Sequence, residues 1–457
     1  MEHDEVKRQS CRAARTPLPF RHRWLLATCF IPIAAMLVVG IPLLAFAQTT
    51  VRWEALPNSA LALHLPSPLP QGSTGPGAII GGWTSAAFDS KRGQLLVLAA
   101  GGHGDYSGNE VYAFREDLGR FERLTEPSPA IVRWPNPSVD VLVDGTPPAR
   151  HTYGGVGYDP VTDSAFVCGG SRSWDGNPTT PCWRFHLAPL KWENLGAIIS
   201  SAAGYAGLNV FRATTGVPWL VWDPGALKFL TQDVAGVISY LNLATMKTEP
   251  VACSGATNPS AGHNAVLDSS GRQLYMIGNG ETRRLDLGRP HTNAYCSWPG
   301  STPNTTDEKL ATTGANEIEG LNLAMDGSGG IGLAWDPEAK LVVAYGKTAD
   351  QKAGRVYSLD PITKVWTAWE ANPAGPLPPL PTGTGVWNRF WLHGQCLYVV
   401  TATSLPVYRA CSFPWRGLAR PPSSSLQRQV ALPSPSIAPP LHPPEVPRPP
   451  AHVPCCR

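Results

Sequence analysis

Four polar stretches of this 457-residue chain carry side chains able to hold and orient a small ligand. His103, Asp105, Tyr106 and Asn109 form the first, and Arg150, His151 and Tyr153 the second. Arg172, Trp174 and Asp175 follow, and His263 with Asn264 completes the set. Imidazole, guanidinium and carboxylate groups mixed with Trp suit sugars or carboxylated ligands, because planar donors fix orientation and aromatic faces stack. Each residue also has a plain structural use: a His at a strand start can satisfy a backbone carbonyl, and Asp105 after Gly104 suits a turn. Sequences that would commit the chain to a particular chemistry are absent. There is no G-x-S-x-G elbow, no H-E-x-x-H, no G-x-x-x-x-G-K phosphate loop and no full EF-hand loop. No catalytic residue, metal ligand or cofactor is therefore assigned.

What positions these stretches is a repeated hairpin. An apolar strand, an Asp, a tight turn and a second apolar strand recur at Ala87-Phe88-Asp89, Gly157-Tyr158-Asp159-Pro160, Val221-Trp222-Asp223-Pro224, Val266-Leu267-Asp268 and Ala334-Trp335-Asp336-Pro337. A degenerate copy stands at Trp391-Leu392-His393-Gly394. Asp suits such a turn because its carboxylate accepts from backbone N–H groups further on, and Pro fixes φ at the next position. A third strand follows each hairpin, as at Val111 to Phe114 or Val356 to Leu359. A fourth, usually aromatic, is expected at Phe121, Trp192, Trp298 and Trp366, with Thr248 to Val251 standing in for it in the third repeat. Four antiparallel strands per repeat, at a spacing of about sixty residues, predict an all-β fold, a six-bladed β-propeller, with seven blades left open. The sixth repeat lacks a fourth strand, so Val51 to Leu56 is expected to complete it and close the ring, removing exposed strand edges.

Gly101-Gly102 followed by Val111-Tyr112 and Phe121, and Gly169-Gly170 followed by Trp183 and Trp192, resemble kelch repeats. The body from about Val51 to Pro414 is similar to the propeller of the galactose oxidase and kelch superfamily. Repeats three, four and six lack the double glycine. The resemblance brings two enzymatic expectations. One is a copper-radical oxidase, which needs two Tyr, two His and a Cys joined to one Tyr; the nearest approach to an adjacent Tyr-His pair here is His151-Thr152-Tyr153. The other is a metal-free sugar isomerase using an Arg, a His and a carboxylate at the channel mouth.

Loop lengths divide the two ends of the predicted ring. Turns within hairpins, such as Asp89 to Gln94 and Asp360 to Lys364, are short. Connections between repeats, such as Glu126 to Arg150 and Glu370 to Gly385, are long and share a face with the Gly101–Asn109 and Gly169–Pro181 loops. Elaborated loops on a rigid scaffold are where binding usually resides. All twelve polar residues named at the outset lie on that face. Arg150, His151 and His263 are expected to converge with His103 near the channel. The favoured reading is a binding module for a carbohydrate or another protein; the alternative is a carbohydrate oxidase or isomerase using the same face.

The ends and the cysteines speak to location. Basic Arg21-His22-Arg23, an uncharged run from Trp24 to Leu44 and Ala45-Phe46-Ala47 make residues 1–47 either a cleaved secretory signal or an uncleaved anchor. Both readings put the body, residues 48–414, outside the cytoplasm: secreted, periplasmic or at the cell surface. Contact with membrane is expected only through an uncleaved N-terminus. Six body cysteines suit an oxidising compartment, with Cys168–Cys182 and Cys396–Cys411 on paired strands of single hairpins and Cys253 with Cys296 left over; buried free thiols are the competing reading. Residues 415–457 form a tail whose last 37 residues, 421–457, hold twelve prolines, and such a segment cannot bury enough surface to order itself. A net charge of +3 gives no reason to expect nucleic acid as a partner, and a monomer is expected.

Overall fold

The computed structural model describes residues 50–102, 104–129, 139–172, 176–201, 219–232, 236–255, 263–291, 306–320, 330–346, 354–379 and 385–417. Six antiparallel sheets follow one another along this part of the chain as the blades of a β-propeller. Blade 1 runs Ala87–Asp89, Gln94–Leu98, Val111–Arg115 and Arg120–Arg123. Blade 2 runs Val156–Asp159, Ser164–Cys168, Pro181–Leu187 and Leu190–Ala197. Blade 3 comprises Val221–Asp223, Lys228–Gln232, Val237–Asn242 and Lys247–Cys253, and blade 4 Asn264–Asp268, Gln273–Gly278, Glu281–Asp286 and Glu308–Lys309. Blade 5 comprises Gly332–Asp336, Leu341–Gly346, Arg355–Asp360 and Val365–Ala371. Blade 6 has Phe390–His393, Cys396–Val399 and Tyr408–Ala410, and takes its fourth strand, Glu54–Ala55, from the other end of the chain.

The turn between the first two strands shows why Asp recurs. Asp89 Oδ1 accepts from the N–H groups of Lys91 (2.9 Å) and Arg92 (3.2 Å), and Asp159, Asp223, Asp268 and Asp336 repeat the arrangement. Four residues after each Asp the chain takes a positive φ, at Gly93, Asp163, Leu227, Arg272 and Lys340, in the range 53–60°. The second strands are almost wholly buried, Gln94–Leu98 and Ser164–Cys168 throughout. Each is covered by neighbouring blades on both faces, so it reads as a continuous apolar run.

Aromatic pairs cross the seams between blades. Phe88 lies 6.2 Å from Trp391, Phe166 5.3 Å from Phe229, Tyr275 stacks on Trp335 at 5.9 Å and Tyr345 on Phe390 at 5.6 Å. On the short-turn face ionic clasps add to these. Arg92 of blade 1 donates twice to Asp163 of blade 2 (2.7 and 2.6 Å), Arg272 of blade 4 to Asp223 of blade 3, and Lys364 of blade 5 to Glu308 of blade 4 (2.8 Å). Glu116 of blade 1 accepts from Trp391 Nε1 (2.7 Å) and lies 2.5 Å from His393 Nδ1, both in blade 6. Asp336 of blade 5 accepts from Trp415 and Arg416, just beyond blade 6.

Several expectations need correction in detail. The segment from Val51 to Leu56 is not one strand: Thr50–Val51 pairs in parallel with Glu370–Ala371 on the outer edge of blade 5, and only Glu54–Ala55 joins blade 6. Val51 is buried within the first attachment and Trp53 between the two. The fourth strand of blade 4 is Glu308–Lys309, reached after a longer excursion than expected; Trp298 lies outside the described residues. Blade 3's second strand starts two residues later than its apolar run suggests, at Lys228, because the Asp223-Pro224-Gly225 turn extends to Leu227. Cys168 and Cys182 sit directly opposite each other and are disulfide-bonded, as are Cys396 and Cys411. Cys253 is also disulfide-bonded, and Cys296, the partner expected for it, lies outside the described residues. So do the whole 1–49 segment and the tail from 418 onward, whereas residues 415–417, expected to open that tail, are packed, with Trp415 buried 5.3 Å from Trp369 and Arg416 bonded to Asp336.

Candidate functional site

The connection Arg150–His151 is the pivot of the long-loop face. It pairs antiparallel with Ser171–Arg172 and is bridged to Ala100 of the blade 1 loop. The double glycines exist to let it in. A Cβ on Gly102 would lie 2.2 Å from His151 N and 2.3 Å from Arg150 C, and one on Gly170 2.3 Å from His151 O. No side chain fits at either place, and both glycines have positive φ, 32° and 94°.

Held in this way, His151 is buried and its Nε2 lies 3.0 Å from Asp105 Oδ2. Asp105 Oδ1 accepts from the Thr74 hydroxyl at 2.6 Å. The His151 ring packs on Trp83, with centroids 4.8 Å apart, and meets Tyr153 edge-on at 6.0 Å. Tyr153 in turn contacts Trp387 at 6.0 Å. Its hydroxyl lies 3.2 Å from Ser171 Oγ, and burial raises its pKa.

Trp83, Tyr153 and Trp387 occupy the same place in their repeats, six residues before Asp89, Asp159 and His393. All three hold left-handed backbone, φ 49°, 45° and 50°. Bulky residues rarely adopt that region, and such strain persists only where the surroundings impose it. Ring contacts run from Trp83 through His151 and Tyr153 to Trp387, joining the entries to blades 1, 2 and 6. Asn264, at the start of blade 4, donates to Ile331 O at 2.9 Å and Asn388 Oδ1 at 3.3 Å.

Beside this cluster, at the seam of blades 6 and 1, lies an open cleft of about 620 Å³. Trp83, Asp105, Thr74, Thr403 and Ser404 supply its polar and aromatic lining, and Ala62, Leu65, Pro76, Ala78 and Ala402 its apolar wall. The wall is built by the segment that precedes blade 1. Thr403 Oγ1 donates to Gly77 O (3.1 Å) and accepts from Ile80 N (3.2 Å), while the N–H groups of Thr74 and Gly75 bond Asp105 O. That segment is therefore tied to blade 6 at one end and to blade 1 at the other. Trp83 and this wall were missed by the sequence reading, because the segment precedes the first Asp hairpin. The signal that could have found Trp83 is its alignment with Tyr153 and Trp387 when the repeats are laid in register.

The other expected site residues divide. Asp105, His151 and Tyr153 come together. Tyr106 turns inward: it is buried and donates to Glu110 at 2.6 Å. Asn109 is also buried, donating to Thr146 Oγ1 and Pro147 O and accepting from Ser128 N. Arg150 is fully buried; it donates to Gly169 O at 3.1 Å and Pro148 O at 3.3 Å, and burial lowers its pKa to about 10. Arg172 reaches Asp140 at 3.1 Å. His263 is buried just ahead of the first strand of blade 4, with Nε2 3.5 Å from Glu281 Oε1. His103, Trp174 and Asp175 lie outside the described residues. Among the described residues, no three His, Cys, Asp or Glu side chains gather closely enough to hold a metal ion.

No family model matches the chain, and no curated protein matches it. Solved structures similar to it include TolB from Acinetobacter baumannii, at TM-score 0.36 and 11% identity over 64% of this chain. Another is an auxiliary nutrient binding protein from Bacteroides thetaiotaomicron, at TM-score 0.41 and 11% identity over 73% of this chain and 68% of that one. The chain spans about half, 55%, of the length of the TolB chain it matches.

Proposed function

We propose that this protein is an exported propeller that binds a ligand on its long-loop face, with a carbohydrate as the preferred class and the cleft between blades 6 and 1 as the site. Residues 1–47 would deliver it as a signal or hold it as an anchor, and its disulfides Cys168–Cys182 and Cys396–Cys411, with Cys253 also disulfide-bonded, fit an oxidising destination. The observation that carries the reading is Trp83. It is a partly exposed indole kept in strained backbone at the edge of a cleft, next to a carboxylate fixed from two sides. An aromatic platform with a few well-placed polar groups is what a sugar site needs. The kelch character of the propeller rests on the double glycines and their packing against Arg150–His151.

The Asp105–His151 contact supports a second reading, a sugar isomerase, since an imidazole–carboxylate pair is a common acid–base element. A glycan array probed with the wild-type protein and with Trp83→Gly tests the site: the expected outcome is a defined set of glycans whose signal falls at least tenfold in the variant. Identical profiles would remove the cleft from consideration. NMR observation of the bound sugars for accelerated anomer exchange separates the two readings, and binding without turnover is the expected result.

A further inference from the structure

We infer that the ligand of this cleft carries a protonated amine, seated between the Asp105 carboxylate and the Trp83 ring; this rests on the cleft being the binding site. Among the described residues that line it, Asp105 is the one charged side chain. No Lys or Arg stands among the described lining residues, which argues against the carboxylated ligands that the residue types first suggested. His151, the partner of Asp105, is 1% exposed on its side chain while Asp105 is 24% exposed. The group presented to the cleft is thus the carboxylate, with the imidazole behind it.

The rest of the wall sharpens the choice. Leu65, Pro76, Ala78 and Ala402 offer no hydrogen-bond partners from their side chains, which leaves Asp105, Thr74, Thr403 and Ser404 to supply polar side-chain contacts. An ammonium group meets complementary chemistry at the other end of the cleft: a fixed carboxylate and the electron-rich face of an indole. The Thr74 and His151 contacts hold Asp105 in place before the ligand arrives, which lowers the cost of ordering it. An amino sugar and a simple alkyl ammonium share this chemistry, and the test below separates them.

Isothermal titration of the full chain with glucosamine, N-acetylglucosamine and butylammonium reads the charge preference directly. Glucosamine is expected to bind at least tenfold more tightly than its neutral N-acetyl form, and Asp105→Asn to abolish that difference. Trp83→Gly, which removes the ring while relieving the positive φ, is expected to weaken glucosamine at least fivefold in a protein that still unfolds cooperatively. Butylammonium binding as tightly as glucosamine, and losing its affinity in Asp105→Asn, also supports the inference and assigns the amine to a non-sugar source. Equal affinity for glucosamine and its N-acetyl form overturns the inference and leaves the sugar site standing, as does an Asp105→Asn protein that keeps the preference for the amine. Binding of none of the three overturns it too, and the Trp83→Gly glycan array then decides separately whether the cleft is a site at all.

Discussion

A guanidinium with almost no exposed surface must find an acceptor for its N–H groups, and Arg389 finds three. It is 1% exposed and donates to Thr84 O at 2.8 Å, Val400 O at 2.6 Å and Gly385 O at 2.5 Å. Burial lowers its pKa to about 9, so it remains protonated at neutral pH. Its bond to Thr84 fixes the residue next to Trp83 from the neighbouring blade, and thereby helps impose the left-handed turn that aims the indole. Arg389→Met would leave those carbonyls buried without a donor, at a cost of about 1–3 kcal/mol. Arg389→Lys should recover only part of this, because one ammonium cannot span three directions as a planar fork does. Urea midpoints of the two variants check the order, and equal midpoints for Met and Lys would show that the fork geometry contributes nothing. Nothing in the sequence marked Arg389, since an Arg before a strand looks like many others. His151 and Tyr153 stood out in the sequence because imidazole and phenol are unusual in a turn-rich loop, whereas Asp105 was equally explained as a turn residue. Tyr106 and Asn109 looked the same in sequence, and only packing distinguishes a side chain that faces the cleft from one that ties its loop together.

At the scale of elements, the strands were legible where apolar runs end in Asp and a tight turn, and this held best in blades 1, 2 and 5. It failed where pairing depends on distant chain. Glu308–Lys309 contributes two charged residues to blade 4 and carries no strand signal at all. The closing segment was legible as a strand, but its division between blades 5 and 6 was not, because a residue pattern does not say which edge is vacant. That division makes it a two-point tie. Thr50–Val51 holds blade 5, Glu54–Ala55 holds blade 6, and the indole of Trp53 is buried between them, 5.9 Å from Tyr345. Trp53→Ala is expected to cost about 3–5 kcal/mol, the range for emptying a buried aromatic site. Removing residues 48–57 should lower the denaturation midpoint further, since backbone pairing to both blades goes as well. A truncated protein that melts with the wild type would mean the ring is not held shut there.

For the molecule as a whole, the two faces divide the labour: long loops build the cleft, and short turns lock blade to blade. The locks are mostly carboxylates meeting cations, which makes the ring sensitive to acid. The Arg92 guanidinium holds Asp163 well below the usual carboxylate range, and Lys364 lowers Glu308 in the same way. In Asp336 burial acts to raise the pKa, but the bonds from Arg416, Ala339 N–H and Trp415 outweigh it and the net shift is downward. A carboxyl whose folded pKa is depressed stabilises the fold above its unfolded pKa, near 4, and loses that contribution as pH falls through the folded value. Stability should therefore hold steady from pH 7 to about 5 and decline below about 4. Arg92 and Asp163 are both partly exposed, so solvent screens their pair and its share is modest; the decline is expected to be the sum of several clasps. Urea unfolding followed by Trp fluorescence from pH 7 to pH 2.5 measures it. Arg92→Gln with Lys364→Gln should be less stable at pH 7 and should lose less on acidification, because two of the carboxyls would then lose the largest of the contacts that hold their pKa down. If the double variant falls away with acid as steeply as the wild type, the acid sensitivity lies elsewhere than in the seams between blades.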